Sequence, residues 1–77
     1  MSDYENIVVS AVRYALGRRT YIVGITVDYV MREIMDNKLS KKCLWVIRSD
    51  IEHQEKFVLE SVTKQWEKLK EKIGEVI

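Results

Sequence analysis

Apolar residues recur along the first part of this chain at the spacing of an amphipathic helix. They fall at every third or fourth position, at Tyr4, Ile7, Val8, Ala11, Val12, Ala15 and Leu16. Ser2 and Glu5 stand three residues apart in front of this stripe, which is the spacing of a capping box. Gly17 follows it, where a left-handed C-terminal residue is expected. The pattern predicts a first helix that begins after Ser2 and ends at Gly17.

The segment after Gly17 carries mixed signals. Thr20 to Val23 favours a strand by residue type, but no other segment offers a convincing strand partner. The sequence therefore predicts a short extended or single-turn connector from Arg18 to Gly24. Thr26 then caps a second helix, which ends near Asn37. Its apolar face comprises Val27, Val30, Met31, Ile34 and Met35.

A third helix is predicted to begin at Ser40. Its buried seam is formed by Leu44, Ile47 and Ile51. The same periodicity continues toward the C-terminus, which leaves open one long helix from Lys41 to Gly74. Three consecutive apolar residues begin at Phe57, however, and a single helix face cannot bury all three. We therefore favour a break between Phe57 and Ser61, with Ser61 or Thr63 as the cap of a fourth helix.

These elements and the chain length predict an all-α fold: one domain spanning residues 1–77, folded as a small three- to four-helix bundle. A 77-residue chain has a thin core, although its hydrophobic fraction is 47%. Chains of this size often need a disulfide, a metal or self-association. One cysteine and one histidine provide neither a disulfide nor a structural zinc site. We therefore expect a homo-oligomer, with no metal and no cofactor.

The charge balance argues against a nucleic-acid or membrane partner. The chain has 13 basic and 12 acidic side chains, a net charge of +1, and thus no long-range field that attracts polyanions. No apolar run approaches the ~20 residues that cross a bilayer. Asp3 and Glu5 occupy the place of a basic signal-peptide region. Together with the unpaired Cys43, which fits a reducing compartment, this predicts a cytoplasmic protein.

The densest polar cluster lies in the run from Arg13 to Val23, where three arginines flank a single glycine. Guanidinium groups bind phosphate and carboxylate through paired hydrogen bonds and stack on aromatic rings. The candidate ligand-binding residues are Arg13, Arg18, Arg19, Thr20 and Tyr21, for a phosphate-bearing small molecule. The alternative is that these cations only interact with the C-terminal dipole of the first helix, at ~0.3–1 kcal/mol each. No glycine-rich phosphate loop is present.

Candidates for catalysis are few. Cys43 lies in the first turn of a predicted helix, where thiolate formation is favoured, but His53 is ten residues away, ~15 Å along a helix. An enzyme is therefore not expected. Trp66 continues the apolar stripe of the C-terminal helix and is assigned to the core. Trp45 points away from the buried seam, and tryptophan is enriched at interface hot spots. The candidate interface residues are Trp45, Met31, Met35 and Phe57.

The run from Arg13 to Val23, of the form R-Y-A-L-G-R-x-T-Y-I-V, resembles a word found in short proteins encoded by bacteriophages and prophages. The segment from Val46 to Ile51 is similar to an Ile-Ile-Arg-x-Asp-Ile segment of those proteins, and a C-terminal helix with Trp66 and Leu69 follows. The similarity covers about residues 7 to 70. It departs between Glu55 and Thr63, where those proteins carry a polar loop that contains glycine.

The resemblance implies a viral origin more than a mechanism. Small phage accessory proteins without catalytic residues commonly bind and block host defence, by sequestering a nucleotide signal or by occupying a host protein. We therefore expect a non-enzymatic anti-defence or host-takeover protein, with a preference for a phosphate-bearing signal. The first alternative is an inhibitor that binds a host defence protein directly. The second is a helix-turn-helix regulator with Lys41, Lys42, Trp45 and Arg48 facing DNA, which the near-zero net charge disfavours.

Overall fold

The computed structural model describes all 77 residues as four α-helices joined by short connections. The helices are α1 (Asp3–Ala15), α2 (Thr20–Met35), α3 (Lys41–Gln54) and α4 (Thr63–Val76). Two single 3-10 turns, Glu55–Phe57 and Glu60–Val62, separate α3 from α4. The all-α prediction and the break after α3 are confirmed, and a single helix from Lys41 to Gly74 is not formed.

Both ends of α1 follow from the sequence as expected. The amide of Glu5 donates to Ser2 Oγ at 3.1 Å, and the amide of Ser2 donates to Glu5 Oε1 at 3.0 Å, which completes the capping box. At the other end the amide of Arg18 donates to the carbonyl of Ala15 at 2.9 Å. Gly17 has a φ of 92°, so this end is a type II turn whose third position requires glycine.

The inward face of α1 differs from the predicted stripe. Tyr4, Ile7 and Ala11 are exposed, whereas Glu5 and Val9 are buried. Glu5 can lie inside because its carboxylate also accepts the amide of Ser40 at 2.7 Å, so that it ties the beginning of α1 to the beginning of α3. The stripe was assigned by side-chain polarity alone, and it therefore excluded a buried carboxylate that backbone amides satisfy.

The predicted connector from Arg18 to Gly24 is wrong. The structure continues α2 back to Thr20, with Arg19 as the N-terminal flanking residue, so Gly24 lies inside the helix and Thr26 caps nothing. Strand-favouring residues adopt helix here because Val23 extends the buried stripe of the helix, which continues at Val27, Val30 and Ile34. Packing of an apolar face outweighs an intrinsic preference that spans only ~1 kcal/mol.

The turn between α2 and α3 has a recognisable cap on each side. Asn37 is left-handed, with a φ of 55°. Its amide donates to Ile34, and the amide of Lys38 donates to Glu33, both at 3.0 Å, as in a Schellman motif. Ser40 then caps α3 by accepting the amide of Cys43 at 3.2 Å. The predicted end near Asn37 and beginning at Ser40 are confirmed.

The beginning of α4 is not capped by a side chain. Ser61 and Thr63 were the predicted caps, but Val62 occupies the N-cap position, with φ −110° and ψ 0°. The Thr63 hydroxyl donates to the carbonyl of Leu59 at 3.3 Å. A capping side chain needs an extended N-cap residue. Here the 3-10 turn leads directly into α4, so no such residue is available.

The helices form a ring in which α1 and α4 each pack against both α2 and α3. Tyr4 of α1 bonds Glu33 near the end of α2, so these two helices run antiparallel. Glu5 meets Ser40, and Arg13 meets Asp50, so α1 and α3 run in the same direction. The end of α1, the beginning of α2 and the end of α3 therefore meet at one end of the bundle.

The core consists of 17 buried apolar side chains contributed by every helix. Trp66 is the largest of them and is 1% exposed, which confirms its assignment to the core. Its indole Nε1 is buried without a hydrogen-bond partner. Leu39 and Leu44, on either side of the α3 cap, are buried together with the predicted seam of that helix.

Candidate functional site

The structure pairs Arg13 with a carboxylate, unlike the other predicted ligand-binding residues. Arg13 Nε lies 2.7 Å from Asp50 Oδ2, and this hydrogen bond raises the pKa of the guanidinium. Arg13 therefore points toward the neighbouring helix α3, and a carboxylate of its own chain compensates its charge. Of the three arginines predicted to bind a ligand, Arg13 is therefore the one whose charge is already compensated within the chain.

Arg18 and Arg19 remain free of carboxylates. Neither takes part in any of the ion pairs that the chain forms. The guanidinium carbon of Arg18 lies 4.4 Å from the centroid of the Tyr14 ring, a cation–π contact that orients the charge without neutralising it. Arg19 immediately precedes the first residue of α2 and is exposed. Two uncompensated positive charges therefore lie at the turn between α1 and α2.

The beginning of α2 adds backbone donors to these charges. No side chain caps it, and its first turn contains no acidic residue. The amides of Thr20, Tyr21 and Ile22 donate to no group of the chain, since the first backbone bond of the helix runs from Val23 to Arg19. Free amides and the helix dipole together favour an anion at such an end.

We call Arg18, Arg19, Thr20 and Tyr21 the arginine corner. Four of the five residues predicted to bind a ligand thus remain adjacent, in a different local structure from the predicted one. Tyr21 is exposed, and its ring is available to a ligand that docks there. The corner projects from the end of the bundle and does not itself form a cavity.

A cleft adjoins the corner on the side of α3. It has a volume of about 310 Å³ and is lined by Arg13, Leu16, Asp50, His53 and Gln54. Leu16 belongs to the turn that ends at Arg18, so the cleft and the arginine corner share that turn. The Arg13–Asp50 pair makes the cleft close to neutral. It offers hydrogen-bonding groups, namely a carboxylate, an imidazole and an amide, rather than free positive charge.

His53 is oriented within this cleft by its own helix. Its Nδ1 lies 2.8 Å from the carbonyl oxygen of Ser49, so Nδ1–H donates to that oxygen and Nε2 is left for other partners. The sequence alone does not assign Asp50, His53 or Gln54 to a site. Their spacing places them on one face of α3, which was the available signal, but only the structure shows that α1 lies beside that face.

The predicted interface residues do not share one surface. Trp45, Met35 and Phe57 are exposed as expected, by 59%, 73% and 76%, but they lie on α3, at the end of α2 and in a 3-10 turn. Met31 is half-buried and packs against the core, so it does not qualify as an exposed anchor. Other exposed apolar side chains lie on α1 and α2, among them Tyr4, Ile7, Ile25 and Tyr29, and the Tyr4 and Tyr29 hydroxyls bond each other.

Cys43 is not activated by its place in the first turn of α3. It is fully buried, and the loss of hydration followed by the charge of Glu5 raises the pKa of its thiol to about 11. The expectation that the helix favours its thiolate is therefore wrong. The structure brings together no group of three or more histidine, cysteine, aspartate or glutamate side chains suited to a metal ion.

The DNA-binding alternative gains no support from the face of α3 that it requires. Lys41, Lys42 and Trp45 are exposed there, but Arg48 Nε bonds Glu52 Oε1 at 3.2 Å. The same face therefore carries a carboxylate that a phosphate backbone would repel.

Comparison of the chain with protein-family models, with curated proteins and with solved structures finds no match. None of the four helices has both the length and the apolar content needed to cross a lipid bilayer.

Proposed function

We propose that this chain is a non-enzymatic binding protein that captures a phosphate-bearing, nucleotide-type ligand at the arginine corner. The observation that carries the proposal is the combination of the uncapped beginning of α2 with Arg18 and Arg19, neither of which has a carboxylate partner. Free amides, a helix dipole and two guanidinium groups at one place are complementary to phosphate oxygens.

The adjoining cleft supports a ligand larger than phosphate alone. Its volume of about 310 Å³ is at the lower end of the ~300–1,000 Å³ range of small-molecule pockets. Because Asp50 compensates Arg13, this cleft suits an uncharged base or sugar that forms hydrogen bonds. In this arrangement the phosphate binds the corner, and the nucleoside part contacts Asp50, His53 and Gln54.

The biological role follows from the resemblance to phage and prophage proteins. A stoichiometric binder of a nucleotide-type signal would act against host defence, in the cytoplasm of the infected cell, by lowering the concentration of that signal. Direct binding of a host defence protein is the second candidate, and the exposed apolar side chains of α1 and α2 favour it.

Isothermal titration with cyclic dinucleotides, cyclic trinucleotides, ADP-ribose derivatives and inorganic pyrophosphate tests the ligand. We expect at least one nucleotide to bind, and replacement of either Arg18 or Arg19 by alanine to weaken it about tenfold or more, since a hydrogen bond to a charged group contributes ~1.5–3 kcal/mol. Lys68→Ala is the matched control, because it removes an exposed cation on α4.

Three outcomes bear on the proposal. Nucleotide binding that depends on the two arginines and not on Lys68 supports it. Binding that is equally weakened by Lys68→Ala reflects general charge and contradicts the assignment of the corner. No heat from any nucleotide contradicts the proposal itself and shifts the function to the protein-binding candidate, which affinity capture from host lysate then tests.

A further inference from the structure

Large apolar side chains of α1 and α2 are exposed to solvent. Tyr4 and Ile7 on α1, with Ile25, Tyr29 and Met35 on α2, are between 40% and 73% exposed. With about 200 Å² for each residue, the area of a large aromatic side chain, these fractions leave at most roughly 550 Å² of exposed surface. That is near the upper end of the ~300–600 Å² found for the largest patch of a typical monomer. We call these five side chains the α1–α2 face.

Two tyrosines of this face are fixed before anything docks on it. The hydroxyl of Tyr4 bonds both the Tyr29 hydroxyl and the buried carboxylate of Glu33. The polar ends of both rings are therefore satisfied within the chain, and the rings themselves remain at the surface. Ordered aromatic side chains lose little conformational entropy on association, so this part of the face is suited to a stable contact.

Two opposite charges lie beside the face, in an arrangement that is complementary to the same two charges of a second copy. Asp28 and Arg32 lie one turn apart on the exposed side of α2, with opposite charges. They have the spacing of a helix ion pair, yet neither forms an ion pair within the chain. In a two-fold dimer the same patch meets itself, so that each charge can face the opposite charge of the other copy.

We propose that a second copy of this chain docks on the α1–α2 face about a two-fold axis that crosses α2 near Val30. The two α2 helices then run antiparallel, and residues at equal distances from Val30 face each other. Asp28 pairs with Arg32 of the second copy, and Ile25 packs against Met35 of the second copy. Both contacts occur twice, and they are added to those of Tyr4, Ile7 and Tyr29.

The area agrees with a dimer of ordinary size. The α1–α2 face supplies at most roughly 550 Å² of exposed surface, and the rim of Asp28 and Arg32 adds to it. A standard interface buries ~800 Å² on each partner. The arginine corner lies beyond the end of this contact, because Tyr21 is nine residues from the axis and would face residue 39 of the second copy, outside its α2. The dimer therefore leaves the corner and the cleft accessible.

Light scattering combined with size-exclusion chromatography, and sedimentation equilibrium, test the dimer. We expect the wild-type chain to have twice the 9.1 kDa protomer mass at micromolar concentrations. Ile25→Asp should reduce the mass to that of one protomer. Phe57→Asp is the matched control, because Phe57 is 76% exposed but lies outside the face, and it should leave the dimer intact.

Charge reversal tests the axis without removing apolar surface. Asp28→Arg and Arg32→Asp each place like charges opposite one another twice, and each should raise the dimer dissociation constant about tenfold or more. The double variant Asp28→Arg/Arg32→Asp restores opposite charges across the axis and should return the constant to within a few-fold of wild type. Both positions are exposed, and circular dichroism checks that the helices remain folded.

The proposal is overturned if the wild-type chain has the mass of one protomer, in which case the face is left for a different protein. It is also overturned if Ile25→Asp keeps the dimer, or if the double variant associates no more tightly than the single reversals. Arg18→Ala should dimerise like the wild type. A failed nucleotide titration therefore leaves this inference unaffected, and a monomeric wild type leaves the proposed ligand site unaffected.

Discussion

Replacement of Gly24 by alanine tests the largest difference between the expected and the observed fold. The sequence predicts that Gly24 ends a connector, whereas the structure places it in the second turn of α2. Inside a helix, glycine is less favourable than alanine by ~0.8–1 kcal/mol. At the end of a connector the same substitution gains nothing from helix propensity. The sign of the effect therefore distinguishes the two local structures.

The surroundings of Gly24 reduce the expected gain only slightly. A methyl group there would lie 3.4 Å from Gln65 Oε1 and close to no other atom outside the helix. That distance is an ordinary van der Waals contact with the end of a flexible side chain. We therefore expect Gly24→Ala to stabilise the fold by about 0.5–1 kcal/mol. For a domain of this size this corresponds to a rise of about 3–6 °C in Tm.

Urea and thermal unfolding followed by circular dichroism measure the effect, with Gly17→Ala as the matched control. Both substitutions add one methyl group and restrict the unfolded chain similarly. Gly17, however, has a φ of 92° and open space around it, so its replacement should cost about 1–2 kcal/mol through backbone strain alone. A Gly24→Ala variant that is unchanged or less stable would refute the assignment of residues 20–24 to α2.

Three further predictions concern buried groups. Hydrogen bonds from Ser2 and Ser40 lower the pKa of Glu5 from 4.5 to about 2. The contribution of Glu5 to stability is therefore complete above pH 4.5 and is lost as the pH falls toward 2, and Glu5→Gln should flatten this part of a stability–pH profile. Cys43, with its pKa raised to about 11, should react with a thiol reagent at least about a hundredfold more slowly in the folded than in the unfolded chain, measured at pH 8. Trp66→Ala should cost about 3–5 kcal/mol in urea unfolding. Trp66→Phe should cost clearly less, because phenylalanine fills most of the cavity and, like alanine, removes the indole donor that lacks a partner.

The helical class and most helix ends could be predicted because local interactions determine them. The capping box at Ser2, the glycine turn at Gly17 and the cap at Ser40 each involve residues within four positions of one another. The beginning of α2 could not be predicted in this way. Thr20 to Val23 has no local helix signal, and it is helical because Val23 is buried within the assembled bundle.

The orientation of α1 illustrates a second limit. A stripe of large apolar residues suggested that Tyr4 and Ile7 face the core, yet both are exposed and Glu5 is buried. The burial of Glu5 depends on the amide of Ser40, which is 35 residues away along the chain. A pattern within one helix contains no information about a donor at the beginning of another helix.

The candidate site shows the same division between local and distant causes. Arg18, Arg19, Thr20 and Tyr21 are consecutive, so any local structure keeps them near one another, and the sequence was sufficient to predict that they are adjacent. Arg13 is only five residues before Arg18, but its environment is determined by Asp50, 37 residues away. The ion pair compensates the charge of Arg13, and it also forms a wall of the cleft beside the corner. The distant carboxylate thus makes the two parts of the proposed site chemically different, one cationic and one neutral, as a ligand with a phosphate and a nucleoside part requires.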